Sequence, residues 1–249
     1  MSRNLAPFPW PSVAKTHRGN VRKINEDSIL CQPELGLWGV ADGMGGHEAG
    51  DVASQMVVES LSNLRWHNGQ TFSAKVDAAE DQLLEVNERM CNLSKELHHG
   101  KAMGSTVVLL LIEGGVGACL WAGDSRLYRL REGELKQLSE DHSHVAEMLV
   151  RGQITEEQAL VHPHRNVITR AIGASDRLAV DVTVFDVLPE DLFLLCSDGL
   201  TNELSCEQIL AHLQKYSLHA SVGRMVASCL EGGARDNLSI VVAQVPAQT

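Results

Sequence analysis

Short apolar runs recur along the chain at residues 12–16, 28–31, 36–41, 105–112, 116–122, 126–131, 178–186, 191–196 and 238–245. Many are rich in Val, Ile and Leu and bounded by Gly or Asp, which predicts strands. Between the third and fourth runs the spacing changes. Ala49, Val52, Ala53, Met56, Val57, Leu61 and Leu64 share one helical face, and Val76, Ala79, Leu83, Val86, Met90, Leu93 and Leu97 share another. Both series predict amphipathic helices laid on a core. The second, spaced alternately by three and four, also fits a coiled-coil seam, but its flanking charges are inconsistent and core packing is the better reading. A short helix is predicted through Val145, Met148 and Leu149, stopping at Gly152. Another starts in "ITEEQAL", where Thr155 and Gln158 form a capping box. The last helices fall near 205–215 and 218–231. This order lacks the regular strand–helix alternation of a parallel sheet. It predicts an α+β fold of mainly antiparallel sheets packed together, with helices outside.

Composition narrows the function. The 249 residues are 44% hydrophobic, enough for the core of one large domain, and no linker-like segment or repeat divides 1–249. A net charge of −11 argues against nonspecific binding to nucleic acid or an anionic membrane. No apolar stretch reaches the ~18 residues that a membrane span needs. The start, "MSRNLAPFPWPSVAK", carries no apolar signal core and reads as a Pro-rich lead-in. The six cysteines stand singly, without a Cys-x-x-Cys pair, and read as reduced thiols of a cytoplasmic protein.

The chemistry concentrates at strand ends. In "VADGMGG" a buried strand runs into Asp42 and a set of glycines. An aspartate beside accessible carbonyls suits a hard cation, although a plain strand-to-helix turn has the same composition. The same grammar recurs: Arg22, Glu26 and Asp27 in "VRKINED", Asp124 in "GDSRLYRL", Asp198 in "LLCSDGL" and Asp236 in "RDNLSIVV". If the strands lie side by side, Asp42, Asp198 and Asp236 form one cluster. Such like charges need a cation to stay ionised, and oxygen ligands favour Mg²⁺ or Mn²⁺.

These stretches, with "MGST" and in this order, resemble the metal-dependent serine/threonine phosphatases of type 2C in their compact bacterial form, from about Thr16 to Val245. The resemblance implies two stacked antiparallel sheets with helices on both outer faces, an α-β-β-α sandwich. It implies two Mn²⁺ or Mg²⁺ ions, with a weaker third. Asp42 would bridge the pair, Gly43 would give its carbonyl to one ion, and Asp198 and Asp236 would hold the other. Glu26 and Asp27 would act mostly through waters on the metals, Asp124 would serve the third ion with Asp198, and Arg22 would grip the substrate phosphate. The expected partners are phosphorylated proteins and an opposing Ser/Thr kinase, and the expected state is a monomer.

The chain departs from the pattern in places. Met44 stands where many eukaryotic relatives carry a histidine proposed as general acid, and His47 is the nearest substitute. Thr16-His17-Arg18-Gly19 replaces a "T-D-x-G" stretch. If the missing aspartate mainly braces the turn, His17 costs little; if it supports the metals, affinity falls. His142, His144, His162 and His164 allow a zinc reading, but they sit around a helical insertion, about 139–170, that corresponds to the family's flap beside the active site. Three function classes follow: a phosphoprotein phosphatase, a pseudo-enzyme that binds phosphoproteins, and a small-molecule phosphatase.

Overall fold

Alternation decides the layers. In the run Val107–Ile112, Val107, Leu109 and Leu111 face one apolar cluster, and Val108, Leu110 and Ile112 face another. A strand buried on both faces reads as a continuous apolar run. In 192–196, Phe193 and Leu195 share the second cluster, while Leu192, Leu194 and Cys196 enter a third. Three clusters separated by two sheets make four layers.

The computed structural model describes residues 10–45, 49–97 and 103–247. His47 and the lead-in through residue 9 lie outside them, as do the side chains of Leu97 and Leu160. The elements in chain order are β1 (Ser12–His17), β2 (Asp27–Gln32), β3 (Leu37–Met44), α1 (Ala49–Ser62), α2 (Phe72–Leu97), β4 (Gly104–Ser105), β5 (Val107–Glu113), β6 (Val116–Ala122), β7 (Arg126–Arg131) and β8 (Glu134–Gln137). They continue with α3 (His144–Val150), α4 (Glu156–Leu160), β9 (Asp181–Asp186), β10 (Leu192–Cys196), α5 (Asp198–Thr201), α6 (Cys206–Lys215), α7 (Leu218–Gly232) and β11 (Leu238–Gln244). One sheet runs β1-β11-β10-β7-β8 and the other β2-β3-β5-β6-β9, with β4 on β3. Their pairings are antiparallel. Trp38, Val40, Phe193 and Val241 fill the space between the sheets. Helices α1 and α2 cover one outer face, through Val57, Leu61, Leu83 and Met90, so the second helical series is core packing. Helices α6 and α7 cover the other, through Ile209, Leu213, Met225 and Cys229. The architecture is the α-β-β-α sandwich that the resemblance implies.

Some boundaries differ from the sequence pattern. Leu178 and Val180 are not strand residues: half-buried, they pack against the helix-covered cluster, and β9 starts only at Asp181. The third strand does not stop before Asp42 but runs on to Met44. Its extra bonds come from outside the run, because the Gly43 N–H donates to the Glu26 carbonyl (3.0 Å) and the Thr106 N–H to the Asp42 carbonyl (2.9 Å). Thr155 and Gln158 do form the capping box, and Ser205 and Gln208 form a second at the start of α6. All six cysteines are free thiols, with Cys91, Cys119, Cys196 and Cys229 buried. No helix among the described residues is long and apolar enough to cross a membrane.

Candidate metal and phosphate site

The acidic residues meet where the two sheets end together. Asp27 opens β2 and stands opposite Asp42 in the β2–β3 register. Asp198 follows β10 at the first position of α5, and Asp236 precedes β11, the strand beside β10. Ser197 joins the sheets: its Oγ donates to Asp27 Oδ2 (2.8 Å) and accepts the Ser239 N–H (3.0 Å). Asn237, almost fully buried, ties down the β1–β2 loop. Its Oδ1 accepts the Glu26 N–H (2.8 Å), and its Nδ2 donates to the carbonyls of Arg18 (2.9 Å) and Ile24 (3.0 Å). Sequence reasoning singled out neither residue. A lone Ser and a lone Asn beside an aspartate look like turn residues, and their partners lie up to 219 positions away.

Two glycines are required by crowding. A Cβ on Gly43 would sit 1.9 Å from the Gly50 carbonyl oxygen and 2.6 Å from that of Glu26. The glycine therefore brings the start of α1 and the β1–β2 loop against the strand that carries Asp42. Gly19 combines a φ of +77° with a backbone contact that would place a Cβ 2.1 Å from the Asp236 carbonyl oxygen. His17 helps to form that turn, because its Nδ1 accepts the Gly19 N–H (2.9 Å). The histidine thus braces the turn at this place.

Electrostatics sets the carboxylates apart from ordinary surface acids. Burial first, and then the charges of Asp27, Asp198, Asp124 and Asp236, hold Asp42 well above the usual carboxylate range. Burial pushes Asp27 up to about 7, with Asp198 and Asp236 adding to it, against bonds from serine hydroxyls. Burial and the Asp198 and Asp141 charges raise Asp124 to about 7. Asp198 is raised by burial and Asp236, partly offset by the Asn202 amide, which donates to its Oδ2 (3.0 Å). Glu26 is raised by burial, against the nearby Arg22. So Asp27, Asp42, Asp124, Asp198 and Asp236 do come together, with Glu26 and Arg22 at the margin. Arg22 donates from Nη2 to Asp236 Oδ2 (2.7 Å), a contact that sequence reasoning did not foresee.

The donor set fits a hard divalent cation. Glu26 Oε1, Asp27 Oδ1 and Asp198 Oδ1 are buried oxygens with no hydrogen-bond partner. Buried acceptors in that condition call for a ligand. Among the described residues, no three His, Cys, Asp or Glu side chains are placed to close round an ion alone. Mg²⁺ and Mn²⁺ complete their shells with carbonyls and water, so the carboxylates need not close. A protein-held zinc needs three or four such side chains. His144, His162 and His164 gather in the α3–α4 segment with ring centroids 5.6–6.4 Å apart but do not meet that need. His142 stands apart from them, buried.

The raised carboxyls set the sign of a pH effect. Asp27 and Asp124 shift from an ordinary 3.8 to about 7, so the folded chain keeps protons that the unfolded chain releases between those values. Their contribution to stability is complete below about pH 4 and is lost as pH rises through 7. Chelator-treated protein should therefore lose roughly a few kcal/mol between pH 5 and pH 8, and excess Mn²⁺ should restore it most strongly at the high end. Thermal unfolding across that range checks this. A chelated protein that grows steadily more stable up to pH 8 would contradict the assignment.

The two-sheet sandwich thus carries, where both sheets end, a cluster of carboxylates whose donor set fits a hard divalent cation. The comparisons agree: the family model for protein phosphatase 2C matches residues 16–239, and the chain belongs to that family. The serine/threonine protein phosphatase PstP of Mycobacterium tuberculosis is 38% identical over 94% of this chain, which spans 44% of the length of that relative. Among solved structures, PppA of Pseudomonas aeruginosa is 42% identical with a TM-score of 0.87, covering 96% of this chain and 98% of its own. The catalytic domain of PstP in complex with two manganese ions is 36% identical with a TM-score of 0.85, covering 95% of this chain and 98% of its own.

Proposed function

We propose that this chain hydrolyses phosphoserine and phosphothreonine in proteins, using two Mn²⁺ or Mg²⁺ ions and a weaker third. The observation that carries the reading is the set of buried, unpartnered oxygens on Glu26, Asp27 and Asp198 around the strongly raised Asp42. Asp42 and the Gly43 carbonyl would hold the ions together with Asp198 and Asp236; Glu26 and Asp27 would act mostly through intervening water, and Asp124 with Asp198 would take the third ion. Bound there, the cations would supply the positive charge that activates the attacking water and neutralises the phosphoryl oxygens.

The chain's own residues do the rest. Ser197 fixes one oxygen of Asp27, and the other is buried without a hydrogen-bond partner. Arg22 keeps guanidinium N–H groups beyond its one bond to Asp236, a planar fork that suits a phosphate. A cleft of about 800 Å³ leads away from Asp124 and Asp198, with Val145, Leu149 and Arg165 on its far wall. That wall is the α3–α4 segment, which in this reading is the flap over a bound phosphopeptide. The setting we propose is cytoplasmic signalling by a monomer opposite a Ser/Thr kinase. The resemblance to named serine/threonine protein phosphatases supports the phosphoprotein substrates in this reading.

Initial rates on phosphoserine and phosphothreonine peptides, an aryl phosphate and a panel of metabolite phosphates test the reading, each with Mn²⁺ and after exhaustive chelation. Peptide turnover that needs Mn²⁺ and exceeds metabolite turnover is expected. Full turnover after chelation would sink the metal chemistry. Faster metabolite hydrolysis would make this a small-molecule phosphatase, and peptide binding without turnover a pseudo-enzyme.

A further inference from the structure

The corner that carries Asp124, between β6 and β7, is fastened to the start of the α3–α4 segment. The backbone bond runs from the His142 N–H to the Gly123 carbonyl (2.9 Å). A side-chain bond returns, because the Gly123 N–H donates to His142 Nδ1 (3.1 Å). On either side, Trp121 Nε1 donates to the Glu140 carbonyl (2.7 Å), and Arg126 Nε and Nη2 donate to the two oxygens of Asp141 (2.8 and 2.6 Å). The His142 ring is buried and lies flat on Trp121, with centroids 5.9 Å apart and planes 12° apart.

The ring's bonding fixes its tautomer. Nδ1 accepts an amide proton, so a neutral ring carries its own proton on Nε2. Nε2 faces Asp181 Oδ2 at 3.1 Å, and Asp181 also accepts from Arg170. Burial, acting first, holds the His142 pKa below its usual value, in keeping with a neutral ring. Both ends of the α3–α4 segment meet here. The Thr169 N–H donates to the His142 carbonyl (2.8 Å), and Ser143 pairs with Ile168. On the other side of the corner, Ser125 Oγ bonds Thr106 Oγ1 (2.7 Å), which accepts the Asp42 N–H (3.2 Å).

We propose that His142 is a positioning residue: its ring clamps the Gly123–Asp124 corner to Asp181 while its backbone ties that corner to the far end of the α3–α4 segment, so that the Asp124 carboxylate and the wall of the substrate cleft are placed together. The consequence for cation binding rests on the role given to Asp124 above. The clamp itself does not.

Two variants separate the ring's contacts. His142→Asn keeps an acceptor near the Nδ1 position and loses Asp181. His142→Gln reaches toward Asp181 and leaves the Gly123 N–H without its acceptor. In chelated protein, hydrogen exchange of the 121–126 segment should rise about five- to tenfold in His142→Gln, the equivalent of one lost hydrogen bond, and clearly less in His142→Asn. Both His142→Gln and Asp124→Asn should raise the Mn²⁺ concentration for half-maximal phosphatase rate. The double variant should be no worse than Asp124→Asn alone, because coupled residues are not additive. Unchanged protection at 121–126 in His142→Gln overturns the clamp, as does an additive double variant. A shift with Asp124→Asn and none with His142→Gln also overturns it. Loosened exchange without any Mn²⁺ effect from Asp124→Asn upholds the clamp and refutes the role of Asp124. If His142→Gln does not fold, Asp181→Ala removes the ring's other partner and should loosen 121–126 in the same direction. No change there overturns the proposal.

Discussion

Asp42→Asn should lower kcat/KM on a phosphopeptide by at least about 10³-fold, since one lost electrostatic contact in a preorganised site already costs about 10²–10³-fold and this one carries a full charge. The fold should survive. Asn occupies nearly the same volume, and the bonds that place residue 42 are backbone bonds: its carbonyl accepts from Thr106 N–H and Ser105 Oγ, and its N–H donates to Thr106 Oγ1. The variant also removes the most crowded acid of the cluster, whose ionisation is opposed by burial and by Asp27, Asp198, Asp124 and Asp236. In chelator near pH 8 it should therefore melt no lower than wild type, and it should gain little from added Mn²⁺, which protects wild type by binding the native state. Paired melting curves with and without Mn²⁺, beside steady-state rates, give both readouts. A variant that unfolds in chelator would make Asp42 a structural residue, and one that keeps its rate would remove it from the chemistry.

The layers and the acids were legible in the sequence for different reasons. Strands such as β5 and β10 announce themselves because both of their faces are buried, and α1 and α2 because each buries one face on a sheet. The acids at strand ends stand out because the same arrangement, a carboxylate at the edge of an apolar run, recurs at several places in one chain, where a single one would read as a turn. Neither signal carries depth. Asp42 reads as the residue after a strand, yet it lies inside β3, because Glu26 and Thr106 extend the ladder from distant places in the chain. Leu178 and Val180 read as a strand and instead pack, half-buried, against the helix-covered core. Asn237 and Ser197 hold the site together through several bonds each and look like turn choices until their partners are known, and His142 reads only as one of four flap histidines until its bond to Gly123 is seen. A pattern of apolar positions reports which face is buried, not which polar atom is satisfied, and the site depends on the second.

The site also assigns different work to the two sheets. Asp27 and Asp42 face each other across one pair of strands, while Asp198 and Asp236 come from the ends of neighbouring strands in the other sheet. Ser197 and Asn237 lie on the seam between the sheets. A cation bound among the four acids would therefore bind the halves of the sandwich to each other as well as to substrate. Its stabilising effect should accordingly be global rather than confined to one loop.

Arg22→Ala should separate substrate binding from cation binding, with a result that the Arg22–Asp236 contact refines. The pair is bonded at 2.7 Å, but its side chains are 49% and 35% exposed, so the contact itself contributes under about 1 kcal/mol. Arg22 therefore does little for the fold, and its larger value lies with a phosphate, which accepts several charge-assisted bonds from the same fork. Losing that grip should raise KM, with a further loss in kcat if the contact tightens as charge moves in the transition state. The expected fall in kcat/KM is about 10²-fold or more, the equivalent of a few kcal/mol. Arg22→Lys should recover only part of it, because a point charge cannot make the two-pronged contact. Mn²⁺ affinity should move the other way. Asp236 accepts from Arg22, so removing the guanidinium frees an oxygen for a cation, and binding should be equal to wild type or a few-fold tighter. Calorimetry with Mn²⁺ beside kinetics on one phosphopeptide resolves the two effects. Wild-type kcat/KM in Arg22→Ala would end the phosphate role. A tenfold loss of Mn²⁺ affinity would show instead that Arg22 serves to hold Asp236 in place.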